Sequence, residues 1–210
     1  MILPTTHQER QAFPRWCFGV DEVGRGCLAG PVVAAAVAFD WSKNIEAEAK
    51  SAGIVIADSK KLSAARRKEA VNFIKNSGAR IAISSRAADV IDEINILQAA
   101  LASMKDAVAE ASQGLEDFIV LVDGNQPLKE VAYEQETITG GDAKVFSIAA
   151  ASIIAKEYRD ELMRKAHEEY PEYHFIKNVG YGTKVHRDAL IKFGPTPLHR
   201  RSFLSKILSV

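Results

Sequence analysis

The sequence predicts an α/β fold in which helices flank a mixed β-sheet. Two observations lead to this prediction. Short apolar segments of strand length lie close together near the N-terminus, and the later part of the chain alternates such segments with longer ones of helical spacing. Strands in series followed by strand–helix alternation are typical of a layered fold whose sheet contains antiparallel and parallel strand pairs.

The N-terminal part of the chain predicts an arm and two paired strands. Residues 1–15 are polar and predict an arm that leads into the fold. Residues 16–22 predict a strand that ends at Gly24 and Gly26, and the Val- and Ala-rich residues 32–39 predict a second, buried strand. Because the connection between these strands is short, we expect them to pair antiparallel.

The middle of the chain predicts helices around a third strand. Ser63 is a suitable N-cap for a helix over residues 63–77, and Gly78 is a suitable stop. Residues 79–85 alternate apolar and polar side chains, as a strand does. The Ala-rich residues 87–112 predict a helical segment with one apolar face.

The C-terminal half continues the alternation. Residues 118–122 are strongly apolar and predict a strand, and residues 131–138 predict another. A long helix is predicted over residues 144–169, which Pro171 closes, and a short helix over residues 183–193.

The charges are unevenly distributed along the chain. The 27 Lys and Arg residues balance 27 Asp and Glu residues, so the formal net charge is zero, whereas nucleic-acid-binding proteins are usually basic. Residues 173–210, however, contain seven bases and one acid, so they carry +6 and residues 1–172 carry −6. Because no linker or repeat divides the chain, we predict a single domain over residues 16–210, with the short helical basic segment 173–210 packed on it.

The composition predicts a globular protein of the cytoplasm. With 47% hydrophobic and 26% charged residues, the chain is neither disordered nor fibrous. Cys17 and Cys27 are too few for a disulfide scaffold or a structural zinc site, and we interpret them as small buried side chains. The N-terminus lacks the pattern of a secretory signal, and the longest apolar runs are too short to span a bilayer, so we expect no membrane partner.

Carboxylates follow two of the predicted core strands. Asp21 and Glu22 end the first strand, and Asp123 ends the strand over residues 118–122. Sites in α/β sheets form beyond the carboxyl ends of strands, so these acids are expected to converge there, with Asp142 supplied from just before the long helix. Clustered carboxylates repel one another unless a cation neutralises them, and oxygen ligands suit Mg²⁺ or Mn²⁺.

Each acid also has a purely structural interpretation. Asp123 before a glycine is typical of a turn, and Asp142 is typical of a helix N-cap. Adjacent residues of an ideal strand point to opposite faces, so Asp21 and Glu22 reach one metal ion only if the strand breaks near Gly24 or if one ligand is a backbone carbonyl. The sequence leaves these alternatives open.

Six blocks of the sequence, in order, resemble the motifs of the ribonuclease HII family (type 2 ribonuclease H) of bacteria. They extend from about residue 16 to residue 203. The blocks are DEVGRGCLAGP at 21–31, DSKKLS at 58–63, VDGN at 122–125, GD at 141–142 with AASIIAK at 150–156, GYGT at 180–183 and HRRSF at 199–203.

The resemblance implies a ribonuclease H-like fold and an endonuclease of nucleic-acid duplexes. Its implied substrates are the RNA strand of RNA/DNA hybrids and single ribonucleotides embedded in duplex DNA, as in ribonucleotide excision repair. It also implies a two-metal-ion mechanism with Mg²⁺ or Mn²⁺, in which water attacks the phosphate on the 5′ side of the ribonucleotide and leaves 3′-hydroxyl and 5′-phosphate ends.

The resemblance also implies roles for particular residues. The four metal-binding carboxylates would be Asp21, Glu22, Asp123 and Asp142. The loop that senses the ribose 2′-hydroxyl would be Gly24, Arg25 and Gly26, the side chain that stacks on a sugar would be Tyr181, and a phosphate contact would be Lys60.

Two positions qualify this assignment. Gly140 stands where the family usually has a lysine, which puts a basic contact there in doubt. Asp160 lies at a position that the family resemblance also points to, and we interpret it as an ion-pair residue or a residue that supports the metal ligands rather than as a ligand. The rival functions are another ribonuclease H-like nuclease, such as a junction resolvase or transposase, and a non-catalytic hybrid-binding module. We expect a monomer.

Overall fold

The computed structural model describes residues 3–208. Its five strands are β1 (Trp16–Val23), β2 (Val32–Ala38), β3 (Arg80–Arg86), β4 (Phe118–Asp123) and β5 (Glu134–Ile138). Its helices are α1 (His7–Ala12), α2 (Ile45–Ser51), α3 (Ala64–Asn76), α4 (Ala88–Ile94), α5 (Ile96–Ala111), α6 (Phe146–Glu169), α7 (Phe175–Asn178), α8 (Lys184–Phe193) and α9 (Ser205–Leu208). No helix in this part of the chain is long and apolar enough to cross a membrane.

The five strands form one mixed sheet in the order β3-β2-β1-β4-β5. β2 pairs antiparallel with β1 and with β3, as predicted for the first pair. β1 and β4 pair parallel, and so do β4 and β5. The predicted mixed sheet flanked by helices is therefore confirmed.

Helices cover both faces of the sheet. On β2, the side chains of Val33, Ala35 and Val37 pack in a core with α6 and α3, whereas Ala34 and Ala36 pack in a second core with α5. Because both faces are buried, β2 is an unbroken apolar segment rather than an alternating one.

Helix α6 lies unusually close to the sheet. A Cβ atom added at Gly19 on β1 would lie 2.2 Å from the backbone nitrogen of Ile148. Glycine at this position therefore lets the helix approach β1, and the approach brings the middle of α6 towards the end of β1.

The predicted arm is tied to the start of α6. Within it, α1 buries Glu9, whose Oε1 accepts a hydrogen bond of 2.9 Å from the backbone N–H of Ser147. Val145, the residue before α6, has no side-chain oxygen that could cap the helix. Glu9 instead supplies a carboxylate to the N–H groups that have no partner within the first turn of α6. Residues 1 and 2 of the predicted arm lie outside the described residues.

Two predicted elements differ from the structure. The segment 87–112 is two helices, because Asn95 adopts φ 66° and ψ 164° and its side chain caps α5 by accepting from the N–H of Leu97. The strand predicted over residues 131–138 begins only at Glu134, since a loop precedes it. Helix α2 was not predicted.

The C-terminal basic segment packs on the second half of α6. Its core contains Tyr173, Phe175 and Leu190, which pack with Met163 of α6 and with Ala29 from the β1–β2 connection. The predicted short helix over residues 183–193 corresponds to α8. The packing brings this segment to the end of the sheet at which β1 and β4 finish, although residues 209 and 210 lie outside the described residues.

Candidate active site

The end of the β1–β4 pair places two carboxylates side by side. Val20 of β1 pairs with Val122 of β4, so the next residues, Asp21 and Asp123, are level on neighbouring parallel strands. The two valines face the core formed with α5. Because side chains alternate along a strand, both aspartates point to the opposite face, towards α6.

A third carboxylate joins this pair. One oxygen from each of Asp21, Glu22 and Asp123 lies within 4.8 Å of the other two. Adjacent residues of an ideal strand diverge, yet these oxygens lie close together although β1 continues to Val23 and Glu22 pairs with Ala34 of β2. The geometry thus allows Asp21 and Glu22 to offer oxygens to one ion through their side chains.

Asp142 lies beside these three acids rather than among them. It belongs to a single 3₁₀ turn, Gly141–Ala143, and not to the N-cap of α6. The backbone N–H of Gly141 donates to Asp123 Oδ1 at 2.6 Å, which anchors the turn next to the cluster. Gly140 precedes it in the left-handed conformation, with φ 66° and ψ 39°, and contributes no basic side chain.

Burial and the charges of neighbouring carboxylates raise the pKa of Asp21, Glu22 and Asp142. The pKa of Asp21 is well above its ordinary value because the side chain is buried and lies near the charges of Glu22 and Asp123. Burial also raises the pKa of Glu22, although Arg25 opposes the shift. The pKa of Asp142 is raised by burial and by the charges of Asp58 and Asp123. A divalent cation would relieve this repulsion.

Lys60 is a cation close to the acids. Burial lowers its pKa, but the carboxylates of Asp142, Asp21 and Asp58 outweigh that effect, and the net pKa is raised. Lys60 follows Asp58, whose side chain accepts from the Lys60 N–H at 3.0 Å and starts the 3₁₀ turn that carries it. Lys60 is an exposed residue.

The two glycines of the loop after β1 differ in their surroundings. Gly24 has φ +95°, and a Cβ atom there would lie 2.3 Å from Nε of Arg159. Gly26 is exposed, and a Cβ atom there would meet nothing within 4 Å. Between them, Arg25 donates to Oε1 of Glu22 at 3.2 Å. The protein itself therefore requires glycine at 24, whereas it leaves open space at 26.

Tyr181 lies against this loop. It forms an isolated antiparallel bridge with Cys27, and the residue is 41% exposed. Its backbone carbonyl bonds to Nδ1 of His186 at 2.9 Å. An exposed aromatic ring beside a glycine-containing loop and a carboxylate cluster forms a surface suited to a sugar or base.

Comparison with known proteins gives the family. A sequence model described as Ribonuclease HII matches residues 18–206. The chain belongs to the ribonuclease HII family. The ribonuclease HII of Salinibacter ruber is 49% identical over 188 residues, which cover 88% of this chain and 89% of that protein. The ribonuclease HII of Chlorobium phaeobacteroides is 46% identical over 208 residues, or 97% of this chain and 98% of that protein.

Solved structures of ribonuclease HII proteins share the fold. The enzyme of Archaeoglobus fulgidus, in a PCNA:RNase HII complex, is 26% identical with a TM-score of 0.70 and covers 89% of this chain and 94% of its own. The ribonuclease H2 of Pyrococcus horikoshii is 24% identical with a TM-score of 0.71 and covers 92% of this chain and 97% of its own. The predicted ribonuclease H-like fold is confirmed.

In this member of the ribonuclease HII family, Asp160 forms ion pairs. Its Oδ1 lies 2.7 Å from Nζ of Lys156, and its Oδ2 lies 3.4 Å from Nη2 of Arg67. The structure thus gives Asp160 two cationic partners, as the prediction of an ion-pair residue requires.

Three residues near the ribonuclease HII motifs were not assigned a role from the sequence. Asp58 raises the pKa of Asp142, and Arg159 and Arg200 are buried beside the Gly24 loop. Asp58 and Arg200 lie inside blocks that carry the family resemblance, which was the available signal. Arg159 lies outside those blocks, and only the structure identifies it.

Proposed function

We propose that this protein is an endonuclease that hydrolyses the RNA strand of RNA/DNA hybrids and cuts on the 5′ side of single ribonucleotides embedded in duplex DNA. The observation that carries the proposal is the convergence of Asp21, Glu22 and Asp123 within 4.8 Å at the carboxyl ends of β1 and β4. Membership of the ribonuclease HII family supports the same activity.

The acidic cluster fits divalent cations. Its donors are carboxylate oxygens, which suit Mg²⁺ and Mn²⁺, and burial together with neighbouring carboxylates raises the pKa of Asp21 and Glu22, so a cation among them would favour their charged forms. We propose that Asp21, Glu22 and Asp123 hold two such ions together with Asp142. Bound divalent ions would supply an activated water and would neutralise charge on the phosphate.

The remaining side chains surround this cluster. Lys60, with its raised pKa, stays protonated and contacts a phosphate oxygen of the substrate. The open space at Gly26 lets the loop of Gly24, Arg25 and Gly26 bring its backbone against the ribose and bond the 2′-hydroxyl. Tyr181 stacks on the neighbouring sugar. Cleavage leaves 3′-hydroxyl and 5′-phosphate ends.

We further propose that the protein acts as a monomer in the cytoplasm. Both cysteines, Cys17 and Cys27, are buried free thiols, which fits a reducing compartment. Sedimentation of the purified protein, with and without duplex, measures the oligomeric state directly, and a stable dimer would contradict the monomer.

The activity is tested with three duplexes of one sequence in Mg²⁺ and in Mn²⁺. They contain only DNA, one embedded ribonucleotide, or a continuous RNA strand. We expect cleavage of the second and third and an intact all-DNA duplex. Equal cutting of the all-DNA duplex would favour a nuclease of the resolvase or transposase type. Binding without cleavage in either metal would favour a hybrid-binding module.

Asp123→Asn separates binding from chemistry. Because the amide is a poor ligand for a hard cation, we expect the cleavage rate to fall by about 100-fold or more while hybrid binding survives. Asp117→Asn is the matched control, because Asp117 is an exposed acid paired with Arg15. Cleavage at the normal rate by the Asp123 variant would contradict the metal-site assignment.

A further inference from the structure

The loop between β1 and β2 is held by the side chain of Arg200. Its Nη2 donates to the carbonyl oxygens of Gly24 at 2.7 Å and Gly30 at 2.9 Å, and its Nη1 donates to that of Arg25 at 2.9 Å. The Nε group donates to Gly30 as well, at 3.1 Å. One guanidinium therefore fixes the peptide groups on both sides of the loop that faces the acids.

Arg159 of α6 holds the same loop from its other side. Its Nε donates to the Pro31 carbonyl at 2.8 Å, and its Nη2 donates to that of Ala29 at 3.0 Å. Its Nη1 donates at 2.8 Å to the carbonyl of Val179, two residues before Tyr181. Arg159 thus connects the Gly24 loop to the segment that carries the exposed tyrosine.

Both arginines are completely buried, at 0% exposure. Within residues 3–208, neither has a carboxylate oxygen within 4.0 Å. Burial lowers the pKa of Arg200 to about 10, so the side chain is still protonated at neutral pH. A buried cation without an ion-pair partner is costly to the fold, and the hydrogen bonds to backbone carbonyls offset part of that cost; for Arg200, the Phe203 ring 5.3 Å away and the charge of Asp92 contribute as well.

We propose that Arg200 and Arg159 are positioning residues that set the preference of the site for ribose over deoxyribose. They act by fixing the backbone of the loop that contains Gly24, Arg25 and Gly26. This inference rests on the proposed function, since it assigns the 2′-hydroxyl contact to that loop.

The planar fork of arginine explains why this residue type is suited to the task. Two Nη groups and Nε donate in one plane, so a single side chain locks several carbonyls at fixed relative angles. A lysine would keep the charge but present one ammonium group, which cannot hold Gly24, Arg25 and Gly30 in the same way. A displaced carbonyl in the loop would move the neighbouring peptide groups away from the 2′-hydroxyl.

The test is a ratio of affinities. In an Asp123→Asn background that does not cleave, the Kd is measured for an all-DNA duplex and for the same duplex with one ribonucleotide. The ratio of the two Kd values does not depend on the folded fraction of a variant, so loss of stability alone leaves it unchanged. We expect Arg200→Lys and Arg159→Lys to lower the preference for ribose by about tenfold, with unchanged affinity for all-DNA duplex.

Arg80→Lys is the matched control. Arg80 also donates to two backbone carbonyls, those of Ala111 and Gln113, but it lies at the far end of the sheet on β3. Its variant is expected to keep the full preference for ribose.

Each other outcome overturns one of the two proposals. An unchanged ratio in folded Arg200 and Arg159 variants, or a ratio that falls equally in the Arg80 variant, overturns the positioning role. If no variant at either arginine folds, the two residues serve the fold and the positioning role is overturned as well. If the Asp123→Asn protein itself shows no preference for ribose, the proposed function fails instead.

Discussion

Asp21 is buried, whereas Glu22 and Asp123 are half-buried, so it bears the largest cost of carrying a charge without a cation. Its raised pKa means that the folded protein binds a proton there more tightly than the unfolded chain does. Stability from this group is therefore present at low pH and is lost as the pH rises above the ordinary value of 3.8.

Asp21→Asn is consequently expected to stabilise the protein in EDTA at pH 7.5, by about 1 to 2 kcal/mol, because it removes a buried charge. The asparagine oxygen can still accept from the Glu22 N–H, as Asp21 does at 2.7 Å. Urea unfolding at pH 7.5 and pH 4 measures the effect, which should shrink at pH 4 and in saturating Mn²⁺. A variant less stable than the parent in EDTA would contradict this interpretation.

Replacing Gly24 by alanine is expected to lower the stability of the protein, whereas replacing Gly26 by alanine is expected to lower its cleavage activity. Gly24→Ala places a Cβ against Arg159 at a positive φ, so we expect it to destabilise the protein by about 1 to 3 kcal/mol. Gly26→Ala meets open space, so stability should remain within about 0.5 kcal/mol of the parent. Its cleavage of an embedded ribonucleotide should nevertheless fall, since the methyl group occupies the space of the substrate. Thermal melting and cleavage rates of both variants check this, and a fully active Gly26 variant would refute the substrate contact.

At the scale of elements, two histidines join α8 to the segment before α9. Nδ1 of His186 bonds the Tyr181 carbonyl, and its Nε2 lies 2.9 Å from Nε2 of His199. The backbone N–H of Thr196 donates to Nδ1 of His199 at 3.0 Å. Since a carbonyl can only accept and an N–H can only donate, these bonds are satisfied when both rings are neutral.

Low pH is therefore expected to weaken the contact between His186 and His199. Burial, helped by the proximity of His186, lowers the pKa of His199 from 6.5 to about 4, and burial also lowers the pKa of His186. The unfolded chain then takes up protons below about pH 6.5 that the folded protein does not, so stability falls between pH 6.5 and 4, by up to about 3 kcal/mol for His199.

Urea unfolding across this pH range tests the assignment. His199→Asn keeps an acceptor for the Thr196 N–H but cannot titrate, so its stability should depend less on pH than that of the parent. His7→Asn, which changes an exposed histidine of α1, is the control and should keep the parent's dependence. Identical slopes in all three proteins would contradict a neutral histidine pair.

The elements themselves were largely predictable, because their signals are local. The core strands and α3, α6 and α8 follow from apolar segments and from caps such as Ser63. The break at Asn95 escaped prediction because the apolar spacing continues across it. The anchoring of α6 by Glu9 joins residues 138 apart, and no local pattern indicates such a bond.

The site was predictable to a similar extent. Asp21, Glu22 and Asp123 were found because they follow strands, and the structure brings them together. The position of Asp142 in a separate turn, and the use of Arg200 as an internal donor, depend on tertiary packing that sequence periodicity does not encode. The roles of Gly24, Arg25, Gly26, Lys60 and Tyr181 remain predictions.

At the scale of the whole molecule, six of the seven Lys and Arg residues in the basic C-terminal segment are available to bind nucleic acid. Arg200 is buried, but the other six bases of residues 173–210 are exposed. They are Lys177, Lys184, Arg187, Lys192, Arg201 and Lys206. Two of them, Lys177 and Lys184, flank the segment that carries Tyr181, so we expect them to contact the phosphate backbone of a bound duplex, for which Lys184 would exchange its ion pair with Asp188.

Replacing Lys177 and Lys184 together by alanine is expected to weaken duplex binding and to reduce its salt dependence. Each lost phosphate contact lowers the slope of log K against log salt by about 1, so the double variant should change it by about 2. Lys105→Ala on α5, which covers the other face of the sheet, should leave the slope unchanged. An unaltered slope of log K against log salt in the double variant would mean that Lys177 and Lys184 do not contact the phosphate backbone of the duplex.

The bond from Arg200 to the Gly24 carbonyl spans 176 positions of the sequence. During synthesis, the loop after β1 therefore leaves the ribosome long before the side chain that holds it has been made. Asp123 and Tyr181 also arrive later than Asp21. A nascent chain ending before residue 200 would carry all the predicted acids but not the guanidinium that bonds the Gly24, Arg25 and Gly30 carbonyls, so the proposed positioning of the loop requires synthesis to have passed residue 200.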